Sequence, residues 1–135
     1  MVKIAICDDD AQAVARQEAI VRQSLQKAGI QCALTTYTQS GNLLADLRDD
    51  GFFYDLILLD IEMPGLDGMA LARQAQTVLP HVRIVFVTSH TEYAIDAFEL
   101  SIFRYVPKDS LETKLAAAVT DAAKLVELET GQSYV

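Results

Sequence analysis

Ile4-Ala5-Ile6-Cys7-Asp8-Asp9-Asp10 sets four apolar residues directly ahead of three acids, and Leu56-Ile57-Leu58-Leu59-Asp60 repeats the arrangement further along the chain. Short, uniformly apolar runs suit strands covered on both faces, as in parallel sheets. If the two runs are neighbouring parallel strands, their carboxyl ends lie about 5 Å apart, so Asp8, Asp9 and Asp60 share one pocket. Like charges crowded in this way repel unless a cation joins them, and hard carboxylate oxygens suit a divalent metal.

Working outward, short apolar runs alternate with longer segments of helical period, the pattern of βαβ units. Ala11 to Ala28 carries Val14, Val21, Leu25 and Ala28 on one stripe, and Gly29 supplies the stop. Cys32 to Tyr37 reads as a second strand and Ser40 to Leu47 as a second helix. Met63-Pro64-Gly65-Leu66-Asp67-Gly68 interrupts regular structure before a third helix that ends near Leu79-Pro80. Arg83 to Val87, a short helix from Tyr93 to Leu100, and Phe103 to Val106 follow. The last helix is expected to start at Ser110 as N-cap, with Leu111, Leu115, Ala118, Ala122 and Leu125 on its stripe. Val119 and Val126 widen that stripe, which suits either a broad buried face or a partner surface. Right-handed crossovers then give an α/β, doubly wound, five-stranded parallel sheet ordered 2-1-3-4-5. Its topological switch point lies between strands one and three, where the acids converge and where such folds bind ligands.

Bulk properties narrow the function. The 135 residues, 51% apolar, suit one compact domain. Eleven basic against 19 acidic residues give a net charge of -8, and the basic residues are scattered, so nucleic acid and anionic membranes are poor partners. No stretch approaches a membrane span or a signal peptide, and a cytoplasmic location is expected. Cys7 and Cys32 fall at opposite ends of adjacent parallel strands, beyond the roughly 7 Å that a disulfide bridges. His81 suits a surface loop, and neither it nor His90 has the neighbours of a transition-metal site at useful spacing. Asp10 suits an N-cap for the first helix.

Across nearly its whole length the sequence resembles the flavodoxin-like receiver domain of bacterial two-component response regulators. The resemblance rests on Asp8-Asp9 after strand one, Asp60 after strand three, the Met63-to-Gly68 loop, Thr88 at the end of strand four, and Lys108 just past strand five. It implies that Asp60 is the phosphoacceptor, taking a phosphoryl group from the histidine of a sensor kinase. It implies Mg²⁺ held by Asp9, Asp60 and the main-chain carbonyl of Glu62, with Asp8 holding a metal-bound water. Lys108 would pair with the phosphoryl oxygens and Thr88 would hydrogen-bond to them. Capture of Thr88 would let Tyr105 turn inward and reshape the face of helix four, strand five and helix five, a possible homodimer surface. Glu62 and His90 occupy positions that in receivers tune hydrolysis. No catalysis beyond self-phosphorylation and slow dephosphorylation is implied.

Thr91-Glu92-Tyr93-Ala94-Ile95-Asp96-Ala97-Phe98-Glu99 is similar to receivers that precede a LytTR-type DNA-binding domain. On that reading residues 1–129 form the receiver, residues 130–135 begin a linker, and DNA is contacted only through a domain absent from this chain. One departure from the family pattern stands out. Receivers commonly place a cis proline after the lysine, whereas here Asp109 follows Lys108 and Pro107 precedes it. A non-proline cis bond costs about 3 kcal/mol, so a trans Lys108-Asp109 bond is expected. The alternative reading is a metal-dependent phosphohydrolase of the haloacid dehalogenase kind, with Asp8 and Asp10 as nucleophile and acid-base. It leaves Asp60 and the Met63-to-Gly68 loop unexplained and lacks an acidic pair after the lysine.

Overall fold

The computed structural model describes residues 1–132. The elements are β1 (Val2–Cys7), α1 (Ala11–Ala28), β2 (Cys32–Tyr37), α2 (Ser40–Arg48), β3 (Leu56–Leu59), α3 (Gly68–Val78), β4 (Arg83–Thr88), α4 (Ala94–Glu99), β5 (Arg104–Pro107) and α5 (Ala116–Gln132). All strands pair in parallel in the order β2-β1-β3-β4-β5, as expected. Cys7 pairs with Leu59 and Leu59 with Phe86, so β1 and β3 end level while β4 runs two residues further, to Thr88.

Alternation along these strands divides the core. Ile4, Ile6, Leu56, Leu58, Val85 and Val87 face α1 and α5, while Ala5, Cys7, Ile57, Leu59, Ile84 and Phe86 face α2, α3 and Ala97 of α4. All four residues of β3 are buried, because helices cover both sides. Cys7 and Cys32 are both free, at opposite ends of the β1–β2 pair. Burial, first of all, pushes the Cys7 thiol up to about 12, which makes it an inert core group.

Helix α1 has the expected bounds. The Asp10 carboxylate accepts from the Gln12 amide at its start, and Gly29 closes it with φ 72°, a left-handed conformation natural to glycine. Ala28, placed on the stripe by sequence, is exposed, and the seven-residue gap between Val14 and Val21 is filled by buried Gln17.

The entry to α5 departs from expectation. Ser110 is no N-cap: its hydroxyl donates to Asp109, and the chain passes through a tight 3₁₀ turn (Lys108–Ser110) and a wide π turn (Leu111–Leu115) before regular helix begins. A π turn takes up more residues than an α turn, so the stripe shifts phase behind it. Leu111, Leu115, Ala118 and Ala122 are buried as expected, but Leu125 is 38% exposed while Val119 and Val126 join the core. The broad apolar face is a buried one. The helix continues through Thr130 to Gln132, and residues 133–135 of the expected linker lie outside the described residues.

Candidate metal centre

Asp8 leaves the end of β1 fully buried. Its Oδ1 accepts from the Asp10 amide at 2.9 Å, an interaction available because the chain turns immediately into α1. Asp60, 7% exposed, follows β3, where its own amide donates to the Cys7 carbonyl at 3.1 Å. Its Oδ1 accepts from the Ile61 amide at 2.7 Å. Asp9 stands exposed at the rim, and one carboxylate oxygen each from Asp8, Asp9 and Asp60 lies within 4.8 Å of the others. The convergence expected from the sequence is present.

Lys108 enters this cluster from beyond β5. Its Nζ lies 2.8 Å from Asp8 Oδ2 and 2.9 Å from Asp60 Oδ2. No peptide bond among the described residues is cis, so the trans Lys108-Asp109 backbone delivers the ammonium without the family's proline. Burial acts against the charge on Lys108, yet the two carboxylates hold its ammonium above the ordinary lysine value. Burial likewise pushes the Asp8 carboxyl up, opposed by Lys108 and the Asp10 amide. Three carboxylates against one ammonium leave the pocket net negative, and all its free donors are hard oxygens. That donor set fits Mg²⁺.

Thr88 ends β4 fully buried, and its Oγ1 accepts from the His90 amide at 3.2 Å. Tyr105 is half-buried with its ring edge-on to Phe86, and its hydroxyl donates to the His90 carbonyl. The Glu62 side chain turns to the β4–α4 loop, where Oε1 accepts from the Tyr93 hydroxyl at 2.8 Å and Oε2 lies 2.9 Å from His90 Nε2. His90 Nδ1 lies 3.1 Å from Glu92 Oε1. Nothing in the spacing of the chain signals that His90 meets two carboxylates, whose oxygens fall within 4.8 Å of a ring nitrogen. The closest contacts of the two carboxylates are to different ring nitrogens, so His90 links Glu62, after β3, to Glu92 in the β4–α4 loop. Asp10 Oδ1 is occupied in capping α1, so the acid-base candidate of the phosphohydrolase reading is committed to the helix start, and that reading is not favoured.

Sequence reading missed two residues at this site. Gln17 reaches Asp8 Oδ2 with Nε2 at 3.4 Å. Its signal was the polar residue sitting in the gap of an apolar stripe. Tyr93 was visible only as part of a motif, since nothing in its spacing shows that it faces Glu62.

The strand order, the two helical layers and an acidic pocket at the switch point define a CheY-like receiver fold. Over residues 4–120 the chain matches the response regulator receiver domain, and it belongs to that family. It is 32% identical over 118 residues to the transcriptional regulatory protein NatR of Bacillus subtilis, covering 87% of this chain and 48% of NatR. It is 28% identical over 123 residues to the positive alginate biosynthesis regulatory protein of Pseudomonas aeruginosa, covering 91% of this chain and 48% of that protein. The DNA-binding transcriptional regulator NtrC of Klebsiella pneumoniae is 32% identical over 120 residues, or 87% of this chain and 24% of NtrC. The chain thus spans between a quarter and a half of these relatives. Among solved structures, the response regulatory domain of mrkE from Klebsiella pneumoniae superposes with TM-score 0.83 at 26% identity, covering 94% of this chain and 99% of that one. Among the described residues no helix is long and apolar enough to cross a membrane.

Proposed function

We propose that this receiver takes a phosphoryl group onto Asp60 from the histidine of a sensor kinase. The observation that carries the reading is the Lys108 ammonium held between Asp8 and Asp60, beside a carboxylate cluster suited to Mg²⁺. Asp60 Oδ2 forms the new bond to phosphorus while the bond from phosphorus to the donor nitrogen breaks, and the electron pair leaves with the imidazole. Mg²⁺ held by Asp9, Asp60 and the Glu62 carbonyl, with Asp8 holding a metal-bound water, would offset the negative charge of pocket and donor. Lys108 would follow the phosphoryl oxygens as a flexible point charge, and Thr88 would donate its hydroxyl hydrogen to them. The chemistry is confined to the protein's own modification and its slow reversal.

Tyr105 and Thr88 then form the switch, and the face of α4, β5 and α5 is the output and a homodimer surface. Resemblance of the Thr91-to-Glu99 segment supports a LytTR-type DNA-binding output. Residues 1–129 form the receiver and 130–135 begin the linker, in a protein acting in the cytoplasm. The test is exposure to Mg²⁺ and acetyl phosphate, followed by intact mass of wild type and Asp60→Asn. One acid-stable, base-labile adduct absent from the variant supports the reading. Donor hydrolysis sustained by the variant would return the phosphohydrolase, and no adduct in either would refute phosphoacceptance.

A further inference from the structure

Gln17 is an anomaly on α1. It shares a stripe with Val14, Val21 and Leu25 and is only 1% exposed, where an amide is costly to bury unless it finds a partner. Its Nε2 is directed to Asp8 Oδ2 at 3.4 Å. Asp8 is itself fully buried, and each of its oxygens is already engaged: Oδ1 by the Asp10 amide at 2.9 Å and Oδ2 by Lys108 at 2.8 Å. The contact to Gln17 is the longest of the three, so Lys108 dominates at Oδ2.

That ranking changes when Lys108 is drawn elsewhere. Its ammonium is shared with Asp60 at 2.9 Å, and a phosphoryl group on Asp60 would compete for it. Asp8 Oδ2 would then keep Gln17 as its buried donor. An amide suits this task because it is neutral: it fixes the direction of the carboxylate without opposing a cation, as an ammonium would. Outer donors that orient ligating carboxylates commonly set metal affinity.

We infer that Gln17 is a positioning residue that holds Asp8 aimed into the cation site, most of all when Lys108 turns to the phosphoryl group. This rests on the reading of Asp8, Asp9 and Asp60 as a Mg²⁺ site.

The experiment is calorimetric titration of Mg²⁺ into the full chain, with wild type, Gln17→Leu and Gln17→Met compared. Either replacement completes the apolar stripe, so thermal midpoints in Mg²⁺-free buffer should stay level or rise. The Mg²⁺ dissociation constant should increase about 10-fold or more. In acetyl phosphate reactions, half-saturation in Mg²⁺ should shift by the same factor, with the rate at saturating Mg²⁺ within about twofold of wild type. The pair of variants guards against one that misfolds. A dissociation constant within twofold of wild type in both would overturn the inference while leaving the metal site standing. Absence of Mg²⁺ binding by the wild type would overturn the site reading and this inference together.

Discussion

Gly68 opens α3 against the backbone of Asp60, and a Cβ placed there would lie 2.0 Å from the Asp60 carbonyl oxygen and 2.8 Å from Ile61 Cα. Ordinary contact begins near 3.4 Å, so Gly68→Ala forces the helix start and the Asp60 main chain apart by about 1.4 Å. Neither side yields easily. The Gly68 amide donates to the Ile61 carbonyl at 2.7 Å, and the Asp60 amide is tied to Cys7 in the neighbouring strand. Forced overpacking of this kind costs about 1–3 kcal/mol, or roughly 4–12 °C in thermal midpoint for a domain of this size. Displacing a reacting group by about 1 Å can cost about 100-fold in rate.

The expected result is therefore a folded Gly68→Ala protein whose acetyl phosphate adduct forms about 100-fold more slowly than in wild type, read by intact mass against time. Gly65→Ala is the control. Gly65 has φ 79° but open space around its Cβ position, so alanine there strains only the backbone, by about 1–2 kcal/mol, and leaves Asp60 in place. Adduct formation by Gly68→Ala within threefold of wild type, with a midpoint within 2 °C, would refute the close-approach argument.

The folded Lys108 value lies above its unfolded 10.5, so the stability it contributes is fully present below that pH and is lost as pH rises through the folded value. Thermal melts in Mg²⁺-free buffer should show the advantage of wild type over Lys108→Met constant near neutrality and shrinking in strong alkali. The Asp8 carboxyl is raised above 3.8, so it favours the fold only in acid and loses that contribution as pH rises. Asp8→Asn should accordingly raise the midpoint at neutral pH by roughly 3–5 °C, about 1 kcal/mol, while weakening Mg²⁺ binding. Tyr93→Phe frees Glu62 Oε1 and should speed amide hydrogen exchange across α4 while changing the global midpoint by less than about 2 °C. Val119→Ala, at a fully buried site, should cost about 2 kcal/mol, and Leu125→Ala, at a partly exposed one, less than about 1 kcal/mol in denaturant unfolding.

What could be read without coordinates follows from how local the cause is. Strand runs such as Leu56 to Leu59 announce themselves, because burial on both faces leaves no polar position. Their order fixed which carboxyl ends meet, and so the convergence of Asp8, Asp9 and Asp60 was legible. The phase of α5 was not, since the π turn at Leu111–Leu115 is set by how the chain leaves β5 and packs on the sheet. Nor were the partners of Glu62, which depend on two loops meeting in space. Gln17 lay between: the gap in the stripe was visible, but only the path of α1 past Asp8 shows what the amide is for.

Those loop contacts bear on how a phosphoryl signal would travel. His90 is held at three points: its amide by Thr88 Oγ1, its carbonyl by the Tyr105 hydroxyl, and its ring between Glu62 and Glu92. A Thr88 hydroxyl that donates its hydrogen to a phosphoryl oxygen keeps lone pairs for the His90 amide. Capture of Thr88 would therefore carry the β4–α4 loop with it. The sequence-based expectation had Tyr105 turning into space that Thr88 vacates. In the structure Tyr105 is packed against Phe86 with its hydroxyl on His90, so no new cavity is required. Under the proposed chemistry the phosphoryl group acts by stabilising this arrangement over its alternatives, and can shift the balance only by its differential interaction with them. Glu62 binds the same loop from the metal side through His90 and Tyr93, so weakening those two contacts should loosen the Tyr105–His90 contact even with Thr88, Asp60 and Lys108 intact, seen as faster exchange of the β4–α4 loop amides.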